Sequence, residues 1–137
     1  MKRKLFTLLS LLVVLFAVAA LAGCGGNTAP GEYLGDNVPT IGQGATVFRF
    51  EVTDGDGEVS AWYVHTDEAT VGAALLEVGL VSGTVGQWGL FVDTVNGHTN
   101  TDGHWWAFWI DGEMAMTGVD STDIEPGVVY AFVYESF

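Results

Sequence analysis

Residues 104–118 read His-Trp-Trp-Ala-Phe-Trp-Ile-Asp-Gly-Glu-Met-Ala-Met-Thr-Gly, and this stretch decides how the rest of the chain is read. Trp105 to Ile110 is an aromatic and β-branched run without proline, the composition of a strand. Asp111-Gly112 supplies two residues that tolerate positive φ, and Glu113 to Thr117 returns, so the stretch is predicted to be a hairpin. Alternation puts Trp106, Phe108 and Ile110 on one face and Trp105, Ala107 and Trp109 on the other. Both faces are apolar. A strand of this kind is either central in a two-layer domain or forms part of a ligand-binding surface.

The chain opens with Lys2, Arg3 and Lys4, followed by an apolar run from Leu5 to Ala22 that only Thr7 and Ser10 interrupt. This is the pattern of a targeting segment. Leu21-Ala22-Gly23-Cys24 resembles the lipobox of bacterial lipoproteins, in which the cysteine is acylated and the peptide is cut before it. The apolar run is also about long enough to span a bilayer, but Cys24 is the sole cysteine and stands where a lipobox needs it. Residues 1–23 are therefore expected to be a signal peptide and Cys24 the lipidation site, on the extracytoplasmic face of a bacterial membrane. One cysteine also excludes an intramolecular disulfide or a cysteine-built zinc site.

Cleavage there would leave Arg49 as the one Lys or Arg residue against 17 acidic residues, a side-chain charge of −16. Such a chain repels nucleic acid and anionic headgroups, and the charge favours solubility beside a membrane. All five tryptophans and all four tyrosines follow Cys24, which argues against a disordered chain.

Residues 24–45, rich in glycine with Pro30 and Pro39, read as a lipidated flexible tether. The domain is expected over 46–137. Val47 to Thr53 alternates as a half-buried strand, Asp54-Gly55-Asp56-Gly57 turns the chain, and Glu58 to His65 returns. That turn fails the calcium-loop pattern, because Val59 stands where glycine is needed and His65 where the bidentate glutamate is needed. Asp67 to Leu80 is predicted to be a helix, with Val71, Ala74, Leu75 and Val78 on one face and Gly79 ending it. A loop from Val81 to Gly86, a strand from Trp88 to Val95, a polar loop from Asn96 to Gly103 and a last strand from Val128 to Phe137 complete the reading. The sum is an α+β domain: a small β-grasp-like sheet of about five to six strands with one crossing helix.

No arrangement for catalysis emerges. The chain has no helical His-Glu-x-x-His, no phosphate loop, no Gly-x-Ser-x-Gly elbow and no cysteine nucleophile. His98, Asn100, Asp102 and His104 share one glycine-containing stretch, but their spacing matches no metal motif and reads as a solvated turn. The expectation is a non-enzyme with no metal site and no required cofactor.

Several segments together resemble a known family: Thr-Val-Gly-Ala-Ala-Leu-Leu at 70–76, Thr-Val-Asn-Gly at 94–97, Trp-Trp-Ala-Phe-Trp-Ile-Asp-Gly at 105–112, Thr-Gly-Val at 117–119 and Glu-Pro-Gly-Val-Val-Tyr at 125–130. They look like the bacterial transcobalamin-like C-terminal domain, related to the domain that closes over cobalamin in transcobalamin and intrinsic factor. The resemblance spans about Thr46 to Phe137. It implies a corrinoid or similar flat ligand near Trp105, Trp106, Phe108, Met116, Thr117, Gly118, Ser121 and Thr122. Aromatic faces and methionines suit a rigid apolar macrocycle, and backbone groups near Gly118 suit its amide rim. The animal proteins hold the ligand between two domains, whereas this chain has a single wall, so binding is expected to be weak without a partner.

The expected function is thus a lipid-anchored extracytoplasmic binding module for cobalamin or a related corrinoid. The alternative is a surface adhesion or protein-interaction module that uses its aromatic edge. The location is testable first: Cys24→Ala abolishes labelling by radioactive palmitate in the producing cell, and a mutant that still labels contradicts the lipobox.

Overall fold

The computed structural model describes residues 37–137. The expected signal peptide, Cys24 and the tether up to residue 36 lie outside them. Nine strands and a single α-helix make up the described part, and the strands form two sheets.

The larger sheet starts from the hairpin of β2 (Thr46–Thr53) and β3 (Val59–Thr66), joined by the acidic turn as expected. Asp54 organises that turn, its Oδ1 accepting the backbone N–H of Asp56 and Glu58 at 2.9 Å each. The last strand, β9 (Val129–Ser136), lies parallel to β2, with Phe50 opposite Tyr130 and Val52 opposite Phe132. On its other side β9 takes β7 (His104–Ile110) antiparallel, and β7 turns through Asp111-Gly112 into the two-residue β8 (Glu113–Met114). Asp111 (φ 49°) and Gly112 (φ 79°) take the left-handed conformations that this tight turn demands. The Asp111 carboxylate also accepts the Val129 N–H at 2.8 Å, tying the turn to the start of β9.

At the far edge, β1 (Thr40–Gly42) runs parallel to β3. The sheet therefore begins at Thr40, inside the stretch read as tether. The full order is β1-β3-β2-β9-β7-β8. A second sheet, in the order β4-β5-β6, is built from β4 (Val81–Gly86), β5 (Gly89–Val95) and β6 (His98–Thr99).

The α+β, β-grasp-like assignment with one crossing helix is corrected by this architecture: the protein is mostly β, a six-stranded and a three-stranded sheet with one short helix. The helix expected over Asp67 to Leu80 is only α1, Val71–Glu77. Tertiary pairing takes the residues before it. Ile124 donates to the Ala69 carbonyl, Val71 donates to the Thr122 carbonyl, and Thr70 bridges Asp123. Thr70 then caps the helix, accepting the Ala73 N–H. At the other end Gly79 closes it as expected, with Leu80 N–H bonded to the Leu75 carbonyl. The segments read as loops at 81–86 and 98–99 are strands, and of their residues only Val81 is buried in the core.

Between the layers, Phe48, Phe50, Val52 and Val64 from the hairpin meet Tyr130 and Phe132 of β9 and Trp106 and Phe108 of β7. Val71, Ala74 and Leu75 of α1, with Val81, Val92 and Val95 of the second sheet, close over them. Tyr130 is the polar exception in this core. Its hydroxyl accepts the Glu125 N–H at 2.9 Å and donates to the Asp123 carbonyl at 3.2 Å, and burial pushes its pKa above the usual tyrosine value. It holds down the loop that leads into β9.

Candidate functional site

A cleft of about 210 Å³ opens where the two sheets part. Its walls are Leu90, Phe91 and Val92 of β5, Trp105, Trp106 and Phe108 of β7, Met114 and Ala115 after the hairpin turn, Thr117, Gly118 and Val119, and Phe132 behind. None of these side chains is charged, in a protein with 17 acidic residues.

Each wall has a local cause. β8 pairs only with Trp109 and Ile110, after which the Ala115 N–H reaches the Phe108 carbonyl at 2.9 Å. The chain then leaves β7, so toward Trp106 the outer edge of β7 has no strand beside it among the described residues. Beyond Gly118, a 3-10 turn at Val119–Ser121 buries Val119 in the core. Asp120 joins the two walls: its Oδ2 accepts the Leu90 N–H at 3.0 Å, across 30 residues of chain. The carboxylate fills the space beside two glycines. A Cβ at Gly89 would lie 2.7 Å from Oδ2, and one at Gly118 would lie 3.0 Å from Oδ1. Among the described residues Oδ1 is buried without a hydrogen-bond partner. A second polar tie is the Thr122 hydroxyl, which donates to the Gly118 carbonyl at 2.9 Å and stands 3.2 Å from the Thr117 hydroxyl.

Of the ligand residues named from the sequence, Trp105, Trp106, Phe108, Thr117 and Gly118 come together at this cleft. Met116 points away, 97 % exposed, while Ser121 lies exposed in the 3-10 turn and Thr122 just after it, and none of the three lines the cleft. Cys24 lies outside the described residues. Trp106 and Phe108 are also core residues. The Trp106 indole is buried and donates to the His98 carbonyl at 3.0 Å, which pins β6 and the following loop to β7. The β5 wall, Met114, Ala115, Val119 and Phe132 were not anticipated as site residues. Phe91 is 60 % exposed, and the trace that could have found it is the absence of any charge from Val78 to Val92.

The stretch His98 to His104 packs around Tyr134. The His104 ring stacks on Tyr134 at 5.1 Å, the His98 ring meets it edge-on at 4.8 Å, and the Thr101 N–H donates to the Tyr134 hydroxyl at 3.0 Å. Among the described residues no three His, Cys, Asp or Glu side chains gather closely enough to hold a metal ion.

Residues 68–136 match the family described as Domain of unknown function (DUF4430). The chain belongs to that family. Among solved structures, this DUF4430 protein is similar to a candidate metal-binding protein from Ruminococcus gnavus ATCC 29149, at 27 % identity and a TM-score of 0.65, over 68 % of this chain and 99 % of that one. It also shares a fold with part of haptocorrin, a structure solved in complex with Cbi. That likeness has 13 % identity and a TM-score of 0.51, and covers 66 % of this chain and 25 % of haptocorrin. No curated protein matches the chain. The resemblance read from residues 70–130 thus finds structural company in haptocorrin at the level of fold.

Packing separates two aromatics that both line the cleft. Trp106→Ala should cost about 3 to 5 kcal/mol in chemical denaturation, as truncation of a buried indole does. Phe91→Ala should cost under about 1 kcal/mol, in keeping with its exposure. Equal losses for the two would contradict the assignment of one to the core and the other to the rim.

Proposed function

We propose that this DUF4430 protein is a lipid-anchored extracytoplasmic binding module whose cleft receives a flat, largely apolar ligand, with cobalamin or a related corrinoid as the ligand class. The observation that carries the reading is the convergence of Trp105, Trp106, Phe108, Thr117 and Gly118, separated in sequence, on one uncharged concavity. Aromatic rims, Met114 and a few polar groups make the surface that a rigid macrocycle needs. At about 210 Å³ the cleft is smaller than the roughly 300–1,000 Å³ of enclosed small-molecule pockets. It therefore accepts one side of a larger ligand, and the strand edge at Trp106 offers backbone groups to that ligand's rim.

The lipid on Cys24 supplies the membrane attachment, and the domain acts by binding without catalysis. Haptocorrin's complex supports the ligand class only through the shared fold. The metal binding suggested for the Ruminococcus protein has no counterpart cluster among the described residues here. A second reading, a protein-interaction module that accepts an extended peptide, is favoured by the same free edge of β7.

Titration with cyanocobalamin and with cobinamide, followed by tryptophan emission and the corrin absorption bands, tests the proposal. Saturable quenching is expected, weakened by about 1 to 2 kcal/mol in Phe91→Ala, as truncated contact aromatics commonly show. No response to either corrinoid at the highest soluble concentration would leave the peptide reading in its place.

A further inference from the structure

Four strands end the two sheets, and three of them are very short: β1 has three residues, β6 and β8 two each. The fourth, β4, has six residues and pairs on one side only, with β5, among the described residues. Every β4 residue after Val81 is exposed. A strand like this presents a row of unpaired N–H and C=O groups, which proteins normally guard with shortness, lysine, proline, an inward charge or a β-bulge. Here only the bulge is present, between Ser82 and Gly83, and it leaves Thr84 to Gly86 unguarded. From Val78 to Val92 the sequence contains no Asp, Glu, Lys, Arg, His or Pro.

Among residues 37–137 no other stretch without a charged side chain is as long. Acids mark most of the other exposed turns: Asp54, Asp56 and Glu58 between β2 and β3, Asp67 and Glu68 before α1, Asp102 before β7, Asp111 and Glu113 in the β7–β8 hairpin, and Asp123 and Glu125 before β9. Two copies of so acidic a protein repel each other across most of their surfaces. At the β4–β5 arm they can meet without setting carboxylates against each other, and there the meeting surface is an open strand edge. It also carries exposed apolar side chains, Val85 at 76 % and Trp88 at 91 %.

We propose that the free edge of β4 pairs antiparallel with the β4 of a second copy, joining the two small sheets into one continuous sheet across a two-fold axis. An antiparallel strand pair is self-complementary, as a two-fold interface must be. The register shift between Ser82 and Gly83 leaves Thr84 to Gly86 as the regular part of the strand, and we place the axis at Thr84, which then stands opposite Thr84 of the second copy. The inference rests on strand geometry and charge, and it stands whether or not the cleft binds a corrinoid. A second copy is the occupant that brings an identical uncharged edge, and the test reads its pairing directly.

The full chain is expressed with Thr84→Cys, and isolated membranes are oxidised mildly before non-reducing electrophoresis. Across an antiparallel pair the Cα separation falls within disulfide reach. Thr84 and Val85 are both exposed, so the substitutions leave the core alone. The expected result is at least about fivefold more disulfide-linked dimer than Asp56→Cys gives in the β2–β3 turn. The unsubstituted chain reports any contribution from Cys24. Adding Val85→Asp to Thr84→Cys should return cross-linking to the Asp56→Cys level, because each copy then brings a carboxylate to the axis. Cross-linking of Thr84→Cys no greater than that of Asp56→Cys overturns the proposal, and so does cross-linking that Val85→Asp leaves undiminished.

Discussion

The parallel pairing of β9 with β2 holds the two halves of the domain together. It inserts the last strand of the chain between an early hairpin and the late β7–β8 hairpin, with Phe50 beside Tyr130 and Val52 beside Phe132. Parallel neighbours need a long connection, and here α1, the second sheet and the β7–β8 hairpin all lie between the two strands. Of those elements α1 and the second sheet pack on the face that the central pair presents, and β7 extends the sheet beside β9. The Tyr130 hydroxyl and the Asp111 carboxylate secure the two ends of the loop that delivers β9. The cleft depends on the same arrangement, since Phe132 forms its back wall.

Hairpins were legible from the sequence because their signals are local. Asp54 to Gly57 and Asp111-Gly112 sit between alternating runs, and the turns form there. The partition of faces also survives: Trp106, Phe108 and Ile110 point to the core, as do Phe48, Phe50 and Val52. The helix start was not legible, since residues 69 and 70 bond to 122–124, a pairing that no local pattern announces. Nor was β4. Its residues after Val81 are exposed on both faces and interrupted by Gly83 and Gly86, so no period of two develops, and it reads as loop. Those two errors together made the protein look more helical than it is.

The aromatic run of β7 shows why candidate site residues and core residues are hard to separate by composition. Trp106 is both, buried against His98 and Tyr134 while its edge reaches the cleft. Trp105 and Trp109 lie on the opposite, half-buried face, with Ala107 fully buried between them. Met116, Ser121 and Thr122 were named from the family resemblance, but of residues 116–122 only Thr117, Gly118 and Val119 face the cleft, the chain turning away through the 3-10 turn at Val119–Ser121. The β5 wall comes from a different sheet and is joined to the Gly118 wall by Asp120, a contact between residues 30 apart. A ligand site built between two sheets is invisible to any reading that takes one hairpin at a time.

The central claim is that the uncharged concavity between the sheets is where the ligand lies. Amide chemical-shift mapping of the isotopically labelled protein during addition of cyanocobalamin tests it most directly. The account predicts perturbations clustered at residues 90–92, 105–108 and 114–119, with the β2–β3 hairpin turn silent. Shifts centred instead on Trp109 and the outer face of β9, or on the Asp54 to Glu58 turn, would contradict it.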